Sequence, residues 1–207
     1  MNQDTPDRPD EADARDRMID AMLRIVAEDG WTRVALDAVA AEADVSGADA
    51  KVQFRDRTAL LHAFAERVDA AACAGAEPQT DAASRYDELL DILMRRFEVL
   101  QADRAAVARL IRDVPADPCT LLRSLPHSQR GFRELAGAAG YPNRGFAGAV
   151  LAKALSAVWL ATQRDWLRDE TPDLSVTMAS LDRHLGRAIG LLGPVIGRDD
   201  TLSGLEA

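Results

Sequence analysis

The sequence predicts an all-α fold on three observations. No segment alternates apolar and polar residues with the period of two that a half-buried strand requires. Apolar residues instead recur at three- and four-residue steps in one stretch after another. The interior implied by those steps is written mainly in Leu, Val, Ile and Ala, because aromatic residues make up only 5% of the 207. With 47% hydrophobic and 29% charged residues, the chain has the composition of a globular protein able to bury a sizeable core.

Residues 1 to 14, polar and rich in Asp and Pro, read as a disordered acidic tail. Met18, Ile19, Met22, Leu23, Ile25 and Val26 then share one face of an amphipathic helix, and "EDGW" ends it with Gly30 in the C-terminal capping place. A short helix comes next over Leu36 to Glu42, with Leu36, Val39 and Ala40 inward. After a brief turn come "SGADAKVQF" and the longer "RDRTALLHAFAERVDAAA", with Leu60, Leu61, Phe64 and Val68 on one side. "CAGAEPQTDAAS", residues 73 to 84, is small, polar and Pro-containing and reads as a junction between domains. Tyr86, Leu89, Leu90, Leu93, Met94, Phe97 and Leu100 form the next stripe; Pro115, Pro118, Pro126 and Pro142 then divide the central stretch of the chain into short helices. Two strong helices close the chain, about 146 to 168 and about 171 to 192, the second opened by Thr171 as N-cap with Pro172 in its first turn. The expected organisation is therefore a tail at 1–14, a helix-turn-helix domain at 15–70, a helical domain at 82–193 and a flexible tail at 194–207.

Several function classes recede on the same reading. A net charge of −9 argues against a protein that coats nucleic acid, since such affinity is largely phosphate neutralisation by Lys and Arg. Cys73 and Cys119 have neither CxxC spacing nor nearby histidines, which suggests reduced thiols with no disulfide and no zinc. The acidic start does not resemble a signal peptide, and charge interrupts the apolar runs, so the expected location is the cytoplasm. His62, His127 and His184 lie on three separate segments, and no metal site is expected from them. "GAAGYPNRGFAG" at 137–148 has no preceding strand and no GK[ST], so it reads as a connection rather than a phosphate cradle. No paired carboxylates or nucleophile constellation emerges, and neither an enzyme nor a cofactor is expected.

"MIDAMLRIVAEDGWTRVALDAVAAEADVSGADAKVQFRDRTALLHAF", residues 18 to 64, resembles the helix-turn-helix domain of TetR-type bacterial transcription regulators. The resemblance implies an N-terminal three-helix reading head and a C-terminal domain that dimerises through its last two helices and holds a small apolar ligand. By the same resemblance, Ser46, Lys51, Gln53, Arg55 and Arg57 are the candidate contacts to operator DNA. Three positions depart from the family pattern. Ala35 stands where a Thr caps the second helix, Asp37 where a basic residue is usual, and Asp44 where Gly enters the turn. Residues 1 to 60 hold eight Lys and Arg against fourteen Asp and Glu, whereas most DNA-binding domains are positive. A domain kept only as a structural remnant is the competing reading.

"VWLATQRDWLRDETPDLSVTMASLDRHL", residues 158 to 185, is similar to the C-terminal part of TetR-like lipid-binding proteins of ubiquinone biosynthesis, which implies lipid or isoprenoid binding without DNA binding as the alternative. Candidate ligand residues are Met94, Phe97, Leu121, Phe132, Trp159 and Trp166, with Phe146 beside them; each either lines a pocket or fills a core. Leu174, Met178, Leu181, Leu185, Ile189 and Leu192 form the stripe expected of an intersubunit four-helix bundle, or of a helix lying on a membrane surface.

Overall fold

The computed structural model describes residues 9–203. Its described residues contain nine α-helices, two short 3-10 turns and no strand. The helices are α1 (Pro9–Asp29), α2 (Leu36–Glu42), α3 (Gly47–Gln53), α4 (Arg57–Ala72), α5 (Ala82–Gln101), α6 (Arg104–Asp113), α7 (Pro118–Ala138), α8 (Gly145–Trp166) and α9 (Ser175–Ser203).

The contacts divide the chain into two units. The first takes the described residues up to Glu66 together with Asp103–Ser124, and the second takes Arg67–Ala102 and everything described from Leu125 onward. Residues 103–124, written in the sequence beside the second domain's helices, thus pack with the first unit, where α6 lies along α1. Nothing in the local pattern of 103–124 announces this, because an amphipathic stripe does not say which neighbour will cover it.

In the first unit the apolar face of α1 is buried as its spacing predicts: Met18, Met22 and Val26 are fully covered, with Trp31, Val39, Phe54 and Leu60 completing the core. Gly30 ends α1, its N–H donating to the Val26 carbonyl at 3.0 Å. In the second unit Leu89, Ile92, Leu93 and Phe97 of α5, Leu135 of α7, Leu151 and Leu155 of α8, and Leu181 and Leu185 of α9 are all buried. Asp81 caps α5 by accepting from the Ser84 N–H at 2.9 Å.

Several boundaries differ from the sequence reading. α1 begins at Pro9, so residues 9–14 of the expected tail are helical, while residues 1–8 lie outside the described residues. α7 runs through Pro126 and α9 through Pro194 to Ser203, although each proline gives up an i→i−4 bond. The tail expected from residue 194 is therefore helical as far as Ser203, and residues 204–207 lie outside the described residues. α9 starts at Ser175 rather than Thr171, because Leu174 takes a φ of 52° and interrupts the helical path. Thr171 still serves the helix end from outside: the Ser175 N–H donates to its hydroxyl at 3.1 Å and to Asp173 Oδ1 at 3.2 Å. Buried Asp169 completes this start, accepting the Thr177 N–H and hydroxyl at 2.7 Å each. Contrary to the expectation that charge interrupts every apolar run, α8 is long and apolar enough to cross a membrane, with a mean hydropathy of 1.5 in its most apolar window. Leu151, Leu155, Val158 and Trp166 of this helix are nevertheless buried in the second unit, which is how a core helix reads.

Gly140 marks the tightest point of the second unit. Its φ is +88°, and a Cβ there would stand 2.1 Å from the Gln79 carbonyl oxygen, a backbone atom that cannot rotate away. Gly140→Ala should therefore lower the unfolding free energy by about 2 kcal/mol or more. Gly75→Ala, with φ +77° but nothing within 4 Å of the new Cβ, should cost only the backbone part, about 1 kcal/mol. Urea unfolding of both variants checks the pair, and equal losses would show that the close approach costs nothing.

Candidate functional site

The segment from α2 to α4 folds by local chemistry. Ala35 stands at the N-cap of α2 in extended geometry without a side-chain bond, as its methyl group dictates. At the other end of α2 the Val45 N–H reaches the Ala40 carbonyl at 2.9 Å and the Asp44 N–H reaches the Ala41 carbonyl at 3.3 Å. These two bonds form a Schellman end, with Asp44 in the left-handed position at φ 53° that glycine usually occupies. Asp tolerates that geometry better than most residues, so the turn survives the exchange.

Ser46 then caps α3. Its hydroxyl accepts the Asp49 N–H at 3.1 Å and donates to Asp49 Oδ2 at 2.6 Å. Ala50 and Phe54 anchor the inner side of α3, while Gly47, Ala48, Asp49, Lys51 and Val52 are exposed. Arg15 lies over the Phe54 ring at 4.9 Å.

The five candidate DNA contacts do not stand alike. Lys51 is 68% exposed, with Nζ 3.8 Å from Asp37 Oδ1; in so exposed a pair the attraction is slight, but the acid partly offsets the only cation of α3. Arg55 is 82% exposed beside Asp56. Gln53 is half-buried, and Ser46 is engaged in its cap.

Arg57 is occupied elsewhere. Its Nη2 donates to Asp117 Oδ2 at 2.8 Å, its Nη1 lies 3.4 Å from the Trp31 carbonyl, and its guanidinium covers the Trp31 ring at 5.1 Å. The same Asp117 oxygen accepts the Trp31 indole N–H at 3.1 Å and the Thr120 hydroxyl at 2.7 Å, while Oδ1 faces the Thr120 N–H at 3.2 Å. The Thr120 hydroxyl and N–H foremost, then the Trp31 indole and the Arg57 charge, hold the Asp117 carboxyl well below the usual carboxylate range. The Trp31 N–H donates to Asp113 Oδ2 at 3.1 Å. Sequence reasoning missed this cluster. Its only linear signals were a Trp after Gly30 and two isolated aspartates flanking the prolines at 115 and 118.

In the second unit four of the candidate ligand residues meet. Phe97 stacks on Trp159 with ring centroids 4.0 Å apart and planes 17° from parallel, and Trp166 and Phe132 join at 5.8 Å from Phe97 and 6.3 Å from Trp159. Met94 is buried as well. Leu121, by contrast, belongs to the first unit and is 37% exposed, and Phe146 is exposed, so neither enters this cluster. What the sequence did not single out is Arg96, whose guanidinium sits 4.3 Å from the Trp159 centroid and 5.1 Å from that of Phe132. Arg96 Nε pairs with Asp69 Oδ1 at 2.7 Å; both side chains are nearly buried, and Arg96 Nη1 has no hydrogen-bond partner among the described residues. Burial pushes the Asp69 carboxyl up, against the pull of Arg96. A Cβ on Gly131 would lie 2.6 Å from Asp69 Oδ2, so a larger residue there would force that carboxylate to shift. The available signal was an arginine set directly before Phe97 within the apolar stripe of α5.

Among the described residues no group of three or more His, Cys, Asp or Glu side chains is placed to hold a metal ion. His62 Nε2 lies 3.1 Å from the Ser124 hydroxyl.

No protein-family model and no curated protein matches the sequence. Solved structures do. The fold is similar to that of the TetR transcriptional regulator from Nitrosomonas europaea, with 22% identity over 84% of this chain and 96% of that one and a TM-score of 0.64. A TetR transcriptional regulator from Rhodococcus sp. RHA1 matches at 21% identity over 85% and 94% of the two chains, with a TM-score of 0.59. The fatty acid degradation regulator FadR from Bacillus halodurans matches at 16% identity over 83% and 94%, with a TM-score of 0.54. The chain therefore has the TetR-like all-α fold.

The Asp117 cluster predicts a pH dependence. A carboxyl held below its unfolded value stabilises the fold above that value, and the contribution disappears as pH falls through the folded one. Asp117→Asn should be less stable than wild type at pH 7, and the difference should shrink as pH falls below about 4. Denaturant midpoints measured from pH 7 down to pH 2 check this; a constant difference across the range would contradict it.

Proposed function

We propose that the chain is a homodimeric one-component transcription regulator, reading operator DNA through α3 and controlled by an apolar ligand in the second unit. The observation that carries this reading is the helix-turn-helix itself. α2 and α3 are joined by a tight Schellman turn, α3 is capped by Ser46, and its outer side is open to solvent with Lys51 on it and Arg55 exposed just beyond its end. A second helix presented this way is the element that enters a major groove. Lys51 and Arg55 are the cations placed to meet phosphate or guanine, with Gln53 at the edge of the face. Arg57 contributes by holding the start of α4 to Asp117 rather than by reaching outward.

The apolar effector would compete for the space of the Phe97, Trp159 and Trp166 cluster. Its binding must favour one of two conformations to act as a signal.

Pairing of two copies is supported by the outer face of α8 and α9. A shallow apolar groove of about 340 Å³ lies between them, bordered by Ala154, Ala157, Val158, His184, Ala188 and Leu191. Leu160 and Leu191 stand exposed nearby, large apolar side chains suited to a symmetric partner. Of the stripe expected to form the seam, Leu174, Leu181 and Leu185 are buried within the chain itself, which leaves Met178 and the residues around Leu191 for a partner. Leu191→Glu together with Ala157→Glu should convert a dimer to a folded monomer in analytical ultracentrifugation; an unchanged mass would remove this face from the proposal.

The DNA reading is tested by titrating the full-length protein against its own genomic fragments as salt is raised. Selective binding should weaken with salt, and Lys51→Ala should lower both the affinity and the magnitude of the salt slope, the latter by about 1. Asp37→Asn should tighten binding several-fold by removing the acid beside Lys51. Absence of selective binding at low salt, with lipid extracted from the purified protein, would instead support the lipid or isoprenoid carrier.

A further inference from the structure

We infer that the outer face of α3 selects thymine through its 5-methyl group, with Val52 and Ala48 as the contacting side chains; this rests on the regulator reading above. Ala50, 1% exposed, marks the inner side of the helix. An α-helix turns about 100° per residue, so the residues two before and two after Ala50 point away from that side. Those residues are Ala48 and Val52, and they stack one above the other at i and i+4.

Val52 is 86% exposed, more than any other large hydrophobic side chain among the described residues. It gains nothing from packing where it stands, and a β-branched residue is a mediocre helix former, so neither the fold nor the helix requires it. Polar groups flank this apex without occupying it. Asp49 is turned to Ser46, and Lys51 leans toward Asp37. The apex therefore offers no hydrogen-bond donor or acceptor.

Such a surface is blind to most of what the major groove displays. Three of the four bases present only donors and acceptors there, and the one apolar mark is the C5-methyl of thymine. Exposed Lys51 beside the apex and exposed Arg55 just past the helix end favour a polyanion over an apolar protein surface.

The test uses the full-length protein and the genomic fragment it binds, resynthesised with each thymine in turn replaced by uracil, which removes the methyl group alone. At one or two positions uracil should weaken wild-type binding about fourfold, the factor expected for withdrawing one methyl-sized group from contact. Val52→Ala should bind the thymine duplex about that much more weakly and should no longer distinguish thymine from uracil at that position. Val52→Thr, which keeps one methyl, should retain part of the discrimination, and circular dichroism should show both variants folded. If Val52→Ala discriminates as strongly as wild type, this inference falls while the regulator reading stands. If wild type binds no fragment selectively, the regulator reading falls and this inference with it.

Discussion

One oxygen atom organises the first unit. Asp117 Oδ2 receives an indole N–H, a guanidinium and a hydroxyl from Trp31, Arg57 and Thr120, side chains spread over about ninety residues of sequence. Charge-assisted bonds of this kind are roughly twice as strong as neutral ones, and three converging on one acceptor fix positions as well as energies. The end of α1, the start of α4 and the start of α7 are thereby held in one arrangement, and the turn and α3 are suspended between two of them. Gathering these donors requires the carboxylate to stay ionised, which the donors themselves ensure. The arrangement has a consequence for recognition, because it withdraws a cation from the surface. On the proposed reading, the face that remains would rely on Lys51 and Arg55.

The second unit solves a different problem, a charge inside an aromatic core. Arg96 lies against Trp159 and Phe132 and pairs with Asp69, whose carboxylate sits close over Gly131. Removing charges from water is expensive, and a buried pair of this kind returns that cost only when its geometry is good. Cation–π contact with two rings supplies part of the compensation. The pair adds little net stability by such an account, but it confines how α4, α5 and α7 can meet within this unit, since any other register strands a charge.

On the proposed regulator reading, electrostatics leaves the first unit a weak general attraction to DNA and a specific contact surface on α3. The acidic residues Asp37, Glu42 and Asp49 lower the positive field around α3, so on the proposed reading attraction to phosphate would be modest and its salt dependence shallow. A protein with little non-specific attraction must draw its selectivity from direct contact with bases. The apolar apex of α3 is consistent with that balance: it adds contact without adding charge.

Helix positions were legible from the sequence because their causes are local. The bounds of α2, the turn at Asp44, the Ser46 cap and the end of α1 at Gly30 all arise from bonds that span four or five residues at most. Ala35 without a capping bond and Asp44 in left-handed geometry were likewise readable, since side-chain chemistry at one position decides them. Even the Phe97 and Trp159 pairing could be suspected from two stripes of matching character. Partner choice was not legible. Arg57 reads as a surface cation until residue 117, sixty positions away, is brought beside it, and Leu121 reads as a pocket residue until the start of its helix is assigned to the first unit. Pro126 and Pro194 read as helix breaks, yet α7 and α9 continue through them despite the lost bond at each. Periodicity determines which face of a helix is buried, but only the tertiary arrangement decides against what, because an apolar stripe carries no record of its partner.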